Sequence, residues 1–407
     1  MDEREERGDA TVFALDVEDA GDLAGCLAHI GSDPRAMGYM GPKRAVLTLY
    51  APSVDFRAAA FVKQELLARG GDAAVAKGVI DGTARRSGVL MMGTRSQLAS
   101  LTRKMEALGC WGLEGLRRAL CDALAGTEAR RWALPLPGGR TLELGRDTKI
   151  MGILNVTPDS FHAPSRVEDE ADLLRRAGEM IEAGADVLDV GAEATGPGAS
   201  PLDEGEELSR LLPALRALRR AFPRATISAD TRKPGVAREA IDAGADIIND
   251  VSGGSAEMSR CVARGGAAYV LSHYEPPDRV LLDVGPEGLM GELCRSFSER
   301  LRMAEEEGLS RDRVVVDPGI GFGKRGRGDL IILKEIRALR CLGRPILIGC
   351  SRKRTIADAT GAMDLIHGTV AASALVEGAA QLVRVHDVGP NADALLMARA
   401  IREARVW

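Results

Sequence analysis

The chain has 407 residues, too long for one ordinary domain and enough for two. Hydrophobic residues make up 45% of it and aromatics only 3%, so its cores must be built from Ala, Val, Leu and Ile. The 54 basic and 59 acidic residues leave a formal net charge of −5, which gives no reason to expect a nucleic-acid partner.

No apolar run approaches the ~18 residues that span a membrane. The opening MDEREERGDA lacks the apolar core of a signal peptide. The expected location is the cytoplasm. The cysteines Cys26, Cys110, Cys121, Cys261, Cys294, Cys341 and Cys350 form no CxxC pair and read as reduced thiols. The five histidines are scattered, with no zinc-site spacing.

Residues 1–127 read as a small α/β unit. Thr11–Asp16 and Val46–Tyr50 have the composition of strands, and Gly88–Met92 is a third short apolar run. Phe56–Arg69 has helical periodicity and stops at Gly70-Gly71; Ser96–Leu108 and Leu113–Leu124 are amphipathic. No catalytic constellation is visible here, and packing or interaction is the expected role. Arg131–Leu144 carries Pro137-Gly138-Gly139 between two apolar runs, a β-hairpin placed to plug a barrel's bottom.

From Ile150 to the end, eight short apolar runs alternate with helical stretches: IMGIL, ADVLDV, ATISA, ADIIN, AAYVL, RVVV, PILIG and QLVRV. They are rich in Val, Ile and Leu without clean alternation, as in strands buried on both faces. Eight such units over about 260 residues predict a (β/α)8 barrel over 128–407, preceded by the α/β unit. An open doubly wound sheet is the competitor, but no GxGxxG follows the first strand.

Polar or Gly-rich clusters follow nearly every run: NVTPDSF, GAEATGPGA, DTRK, NDVSGG, DPGIGFGK, SRK and RVHDV. One such residue is usually a cap or turn former; seven in parallel converge on one mouth, the face that carries active sites in this fold. Asp230, Asn249, Asp317 and Lys353 offer the acceptors and donors that a flat heterocycle with an amide and adjacent N–H groups would pair with. Arg384 and His386, two apart on the last strand, point the same way and form a cationic pair suited to a phosphate or diphosphate. An ion pair with Asp387 or another carboxylate is the structural alternative for Arg384. Asn155 ends the first strand, where a hard oxygen could join diphosphate oxygens around Mg²⁺.

The segments MGILNVTPDSF, DTRK, GADIINDVSGG, DPGIGFGK, SRK and RVHDV resemble the signature segments of dihydropteroate synthase, over essentially the whole barrel. GPKRA and KQELLARGGDAAVAKG resemble an N-terminal extension found on longer members. The resemblance implies condensation of 6-hydroxymethyl-7,8-dihydropterin diphosphate with p-aminobenzoate. Asp230, Asn249, Asp317 and Lys353 would hold the pterin. Asn155, Arg384 and His386 would hold diphosphate and Mg²⁺. Asp230, Lys353, Arg384 and His386 are the expected catalytic set; Thr195, Pro197, Phe322 and Arg354 join the substrate-binding set. A homodimer is expected.

Three departures stand out. The strand 2 loop reads GAEATGPGA, with Ala194 and Gly196 in place of the usual Ser and Arg; the strand 1 loop runs SFHAPSR from Ser160 to Arg166; and Arg354 replaces a Ser after SRK. LSHYEPP also replaces the usual strand 5 motif, and Ser272 makes the pocket more polar. The competing readings are a divergent paralogue with another nucleophile or low activity, a non-catalytic pterin-binding protein, and a pterin-dependent methyltransferase. Arg384, His386 and NVTPDSF argue against the last, because a methyl donor has no diphosphate to clamp.

Overall fold

The computed structural model describes residues 12–15, 17, 19–129, 131–156, 166–193, 202–275, 288–324 and 326–404. The chain divides into two compact units, Met1–Arg118 with Glu403–Trp407, and Ala119–Arg402. The division falls inside helix α5 (Leu113–Glu128), and the boundary expected at residue 127 lies at the far end of that helix.

In the first unit, α1 (Ala20–His29) and α2 (Ala36–Met40) precede a three-stranded antiparallel sheet. β1 (Val46–Asp55) and β2 (Asp72–Val75) flank the central β3 (Arg86–Thr94). α3 (Phe56–Leu67) and α4 (Arg95–Glu106) bury Ala58, Val62, Leu66, Leu98, Leu101 and Met105. Thr94 caps α4 in a reciprocal capping box with Gln97, which satisfies N–H groups that the first turn leaves free. The strand expected at Thr11–Asp16 is not formed where the structure describes it. Residues 12–15 take no strand and Val12 is 93% exposed; an apolar run becomes a strand only where a neighbour pairs with it. β2 escaped notice because it is four residues long and follows the helix stop directly.

The second unit opens with the hairpin β4 (Trp132–Pro135) and β5 (Thr141–Leu144), paired Trp132 to Leu144 and Leu134 to Leu142. Eight parallel strands follow: β6 (Lys149–Asn155), β7 (Val187–Gly191), β8 (Thr226–Asp230), β9 (Ile247–Asp250), β10 (Ala268–Ser272), β11 (Val314–Asp317), β12 (Leu347–Ile348) and β13 (Leu382–Val385). Each pairs with its sequence neighbours, β13 returns to β6, and a bridge from Val316 to Ile346 closes the ring. The helices α6 (Arg166–Glu182), α7 (Glu204–Ala221), α8 (Pro234–Asp242), α9 (Ala256–Gly265), α10 (Gly288–Glu306), α11 (Arg327–Lys334), α12 (Arg354–Thr360), α13 (Ile366–Val376) and α14 (Val388–Glu403) form the outer layer. This is the (β/α)8 barrel expected from the eight runs, and the open sheet is excluded.

Two hydrophobic layers follow from the period of 2 along each strand. Outward residues such as Leu188, Val190, Ile248 and Val316 pack against the helices. Inward residues near the strand starts, including Met151, Val187, Ile247, Val270, Val315 and Leu382, pack against Leu134, Leu136, Leu142 and Leu144 of the hairpin. The hairpin therefore seals the bottom. Trp132 donates its indole N–H to Gly343 O at 3.0 Å, and Arg140 pairs with the buried Asp246. Leu134 is fully buried in this plug. Leu134→Ala is expected to cost about 2–5 kcal/mol, because the rigid barrel rim cannot collapse into the space. Chemical denaturation checks it; a loss well under ~1 kcal/mol would mean that the plug does not pack as a core.

Candidate active site

The same inward period continues upward from the plug and changes character. Positions 189 and 191 on β7, 228 and 230 on β8, 249 on β9, 272 on β10, 317 on β11 and 384 on β13 read Asp, Gly, Ser, Asp, Asn, Ser, Asp and Arg. Apolar side chains fill the bottom of the barrel, and polar ones line the end from which the strands exit.

Arg384 is the centre of this layer. Its Nε donates to Asp189 Oδ2 and its Nη2 to Asp230 Oδ2, each at 2.5 Å. Asn249 Nδ2 donates to the same Asp189 oxygen at 3.1 Å. Asp189, a residue not singled out from the sequence, thus ties the β13 cation to β9. Its signal was a lone carboxylate inside a buried apolar strand, on the inward period with Val187. The ion pair expected as the structural alternative for Arg384 is thus realised, with Asp189 and Asp230 rather than with Asp387, which binds Arg352 at 2.5 and 3.0 Å.

Three oxygens in this cluster accept nothing within the described residues: Asp189 Oδ1, Asp230 Oδ1 and Asn249 Oδ1, all buried. Buried acceptors left unpaired are costly. Here they belong to residues joined in one network through Arg384 and Asp189, and unpaired acceptors suit a ligand rich in N–H groups. Burial pushes the Asp230 carboxyl above its usual range, Arg384 opposes this, and Asp189, Asp250 and Glu207 reinforce it.

Asp317 and Lys353 lie on the opposite wall. Asp317 Oδ1 accepts the Gly319 N–H at 2.8 Å, and Ser272 Oγ stands 3.5 Å from Oδ2. Burial raises the Asp317 pKa, against which the nearby Lys353 charge and the Gly319 bond act. Lys353 Nζ donates to Ile320 O at 2.5 Å and sits 4.6 Å from the centre of the Phe322 ring. Burial lowers its pKa, while Asp317 holds it up. The loop that carries these contacts needs glycine. Gly319 has φ +66° and a Cβ there would stand 2.1 Å from His273 O; Gly321 has φ +84° and would press on the Lys353 stem. Beneath it, fully buried Lys324 donates to His273 O at 2.6 Å and Gly319 O at 3.1 Å, joining the segments that follow β10 and β11.

His386 stands beside Ser351. Ser351 Oγ accepts the His386 backbone N–H at 3.2 Å, so its own hydrogen is free to point at Nδ1, 3.0 Å away. That assignment makes Nδ1 the acceptor and leaves the N–H on Nε2. Burial, then the Arg352 and Arg384 charges, lower the His386 pKa to about 4. The expected cationic pair therefore carries one charge, on Arg384, and His386 acts as a neutral donor. The shift has a pH signature. Above the unfolded value of about 6.5 both states are neutral. As pH falls below it, the unfolded chain gains a proton that the folded one refuses until about 4, so stability is lost across that window. Thermal melts at pH 7 and 5 should show His386→Gln losing less than the unsubstituted protein; equal losses would contradict the neutral assignment.

Asn155 is exposed at the end of β6. A Cβ at Gly191 would stand 3.4 Å from Asp230 Cβ and 3.8 Å from Asn155 Oδ1, so glycine keeps the space between them open. Among the described residues no three His, Cys, Asp or Glu side chains group as a metal site. A hard cation with one protein oxygen here and the rest from a diphosphate and water matches the habit of Mg²⁺. Arg354, at the start of α12, is 90% exposed and pairs with Asp358 at 3.5 Å. Thr195, Pro197 and Gly196 lie outside the described residues, as does the side chain of Arg166. No described helix is long and apolar enough to cross a membrane.

Residues 151–386 match the family of pterin binding enzymes. Dihydropteroate synthase of Synechocystis is 36% identical over 275 residues, 66% of this chain and 95% of that protein. A dihydropteroate synthase structure from Xanthomonas albilineans with 4-aminobenzoic acid superposes with a TM-score of 0.60 at 36% identity, covering 67% of this chain and 99% of that one. A probable bifunctional folylpolyglutamate synthase/dihydropteroate synthase of Halobacterium salinarum is 35% identical over 96% of this chain, N-terminal unit included. The chain spans 47% of the length of that relative. A pterin-binding barrel of this kind, with this layer of polar residues at its mouth, defines the class, and the chain belongs to the dihydropteroate synthase family of pterin-binding enzymes.

Proposed function

We propose that the chain is a transferase that condenses 6-hydroxymethyl-7,8-dihydropterin diphosphate with p-aminobenzoate, releasing diphosphate. The observation that carries this reading is the group of unpaired buried acceptors on Asp189, Asp230 and Asn249 beside Arg384. The pterin ring, with its N–H groups and ring carbonyl, supplies donors to Asp230, Asn249 and Asp317 and an acceptor to Lys353. The diphosphate lies toward Arg384 and the Nε2 of His386.

In the reaction the C–O bond to diphosphate breaks and its electron pair leaves with the phosphate oxygen. Arg384 and His386 are fixed donors for that growing charge, already oriented by Asp189, Asp230 and Ser351. Asp230 and Asp317 lie near the positive charge left on the pterin. The arylamine nitrogen then forms the new C–N bond and loses its proton. Held by Asn155 and the diphosphate oxygens, Mg²⁺ would supply further charge neutralisation at the leaving group. Positioning the two reactants in one mouth contributes the rest.

The departures favour a second reading, a divergent paralogue with a changed second-substrate pocket. Gly196 and Arg354 alter the outer pocket, where a carboxylate-bearing arylamine needs a donor. If Arg354 turns inward to serve that carboxylate, Arg354→Ser should raise the KM for p-aminobenzoate, and Gly196→Arg should partly restore it. Unchanged kinetics in both would mean that Arg354 is a surface residue. Sulfonamides extend further than the substrate and should inhibit more weakly than is usual in the family. We further propose a homodimer and a cytoplasmic location. The exposed apolar residues Leu396, Met397 and Ile401 on α14 support the first, and seven free cysteines the second.

The test is turnover of the purified chain with the pterin diphosphate, Mg²⁺ and p-aminobenzoate. Stoichiometric dihydropteroate and diphosphate are expected; a bound pterin diphosphate with no product from p-aminobenzoate would favour the paralogue.

A further inference from the structure

Two cysteines outside the active site meet on the helical shell. Cys294 lies on α10 and Cys341 on the 3₁₀ segment Ile336–Leu342 that leads into β12; their Sγ atoms are 3.5 Å apart. Both are half-buried, and both are free thiols. They are 47 residues apart in sequence, so the fold alone brings them together. Neither residue enters the proposed reaction.

We propose that Cys294 and Cys341 form a redox-sensitive dithiol that closes to a disulfide when the chain meets a disulfide oxidant. Closing it requires the sulfurs to approach from 3.5 Å to a bonded distance of about 2.05 Å, a movement within the reach of side-chain rotation. The two sulfurs lie within hydrogen-bond reach of each other. Either thiol attacks once deprotonated, and the sequence of bonds is the same with Cys341 taken first.

The step balances with glutathione disulfide as oxidant. The Cys341 thiolate attacks one sulfur of the oxidant and expels one glutathione thiolate, giving a mixed disulfide. Cys294 then gives up its proton to solvent, attacks the Cys341 sulfur and expels the second glutathione. The two cysteines lose two electrons together, and one glutathione disulfide becomes two thiols. The product ties α10 to the segment that feeds β12. Such a link constrains the unfolded chain and raises the melting point.

The experiment treats the folded, full-length chain with glutathione disulfide, counts free thiols, and maps peptides without reduction. The expected result is loss of two of the seven thiols. The peptides carrying Cys294 and Cys341 should be joined, and Tm should be raised until dithiothreitol is added. Cys294→Ser should instead leave glutathione trapped on Cys341, Cys341→Ser should leave it on Cys294, and neither variant should show the joined peptides or the reducible rise in Tm. Seven free thiols after treatment, or Cys294 and Cys341 found only as separate adducts in the unsubstituted chain, would overturn the proposal.

Discussion

Arg384→Gln is expected to abolish most turnover and to destabilise the barrel unit as well. The guanidinium lies between Asp189 and Asp230, which are 0% and 6% exposed. Removing it leaves two carboxylates facing each other without a counter-charge. Breaking a buried pair from one side costs about 3–5 kcal/mol. The real loss should fall at the low end, because Asp230, already raised in pKa by burial, can take up a proton. The effect on rate has a separate origin: loss of a fixed donor to the leaving diphosphate should lower kcat by roughly 10²–10³. Arg384→Lys should not restore it, since an ammonium cannot bridge both carboxylates as the planar fork does. Denaturation and steady-state kinetics separate the two effects. Unchanged kcat would remove Arg384 from the chemistry.

Asp317→Ala should remove pterin affinity by about 2–4 kcal/mol, or roughly 30- to 900-fold. Asp317 is the buried acceptor on the Lys353 wall, and its Oδ1 already fixes the Gly319 N–H. A drop in affinity could also arise from a displaced loop, so Asp317→Asn is the companion variant. It keeps an oxygen for Gly319 and removes only the charge. Both variants should weaken binding of a pterin that lacks diphosphate, as read by calorimetry, whereas His386→Ala should weaken turnover far more than that binding. A pterin Kd unaffected by either change at Asp317 would place the ring elsewhere.

How much of this was visible in the chain follows from what each feature depends on. The eight barrel strands were legible because buried parallel strands concentrate Val, Ile and Leu between helical stretches. The polar mouth was legible as residues at or near the ends of those runs: Asp230, Asn249, Asp317 and Arg384 lie on the inward period at the strand ends, and Lys353 and His386 follow their strands. The hairpin plug was legible from Pro137-Gly138-Gly139 between apolar runs. Asp189 was not, because it sits inside an apolar run rather than at its end. The partners of Arg384 were not legible either: they lie 195 and 154 residues away, and ring closure brings them within reach. His386 was read as a cation because composition carries no information on burial or on Arg352 and Arg384 as neighbours. β2 and the unpaired run at 12–15 show the same limit at short range, where pairing rather than composition decides.

The most direct test of the central reading is a crystal structure of the chain with 6-hydroxymethylpterin bound. The expected result places the ring inside the barrel mouth, with its N–H groups on Asp230, Asn249 and Asp317 and its hydroxymethyl group directed toward Arg384 and His386. A ring bound away from these residues, with the Asp189, Asp230 and Asn249 oxygens still unpaired, would contradict it.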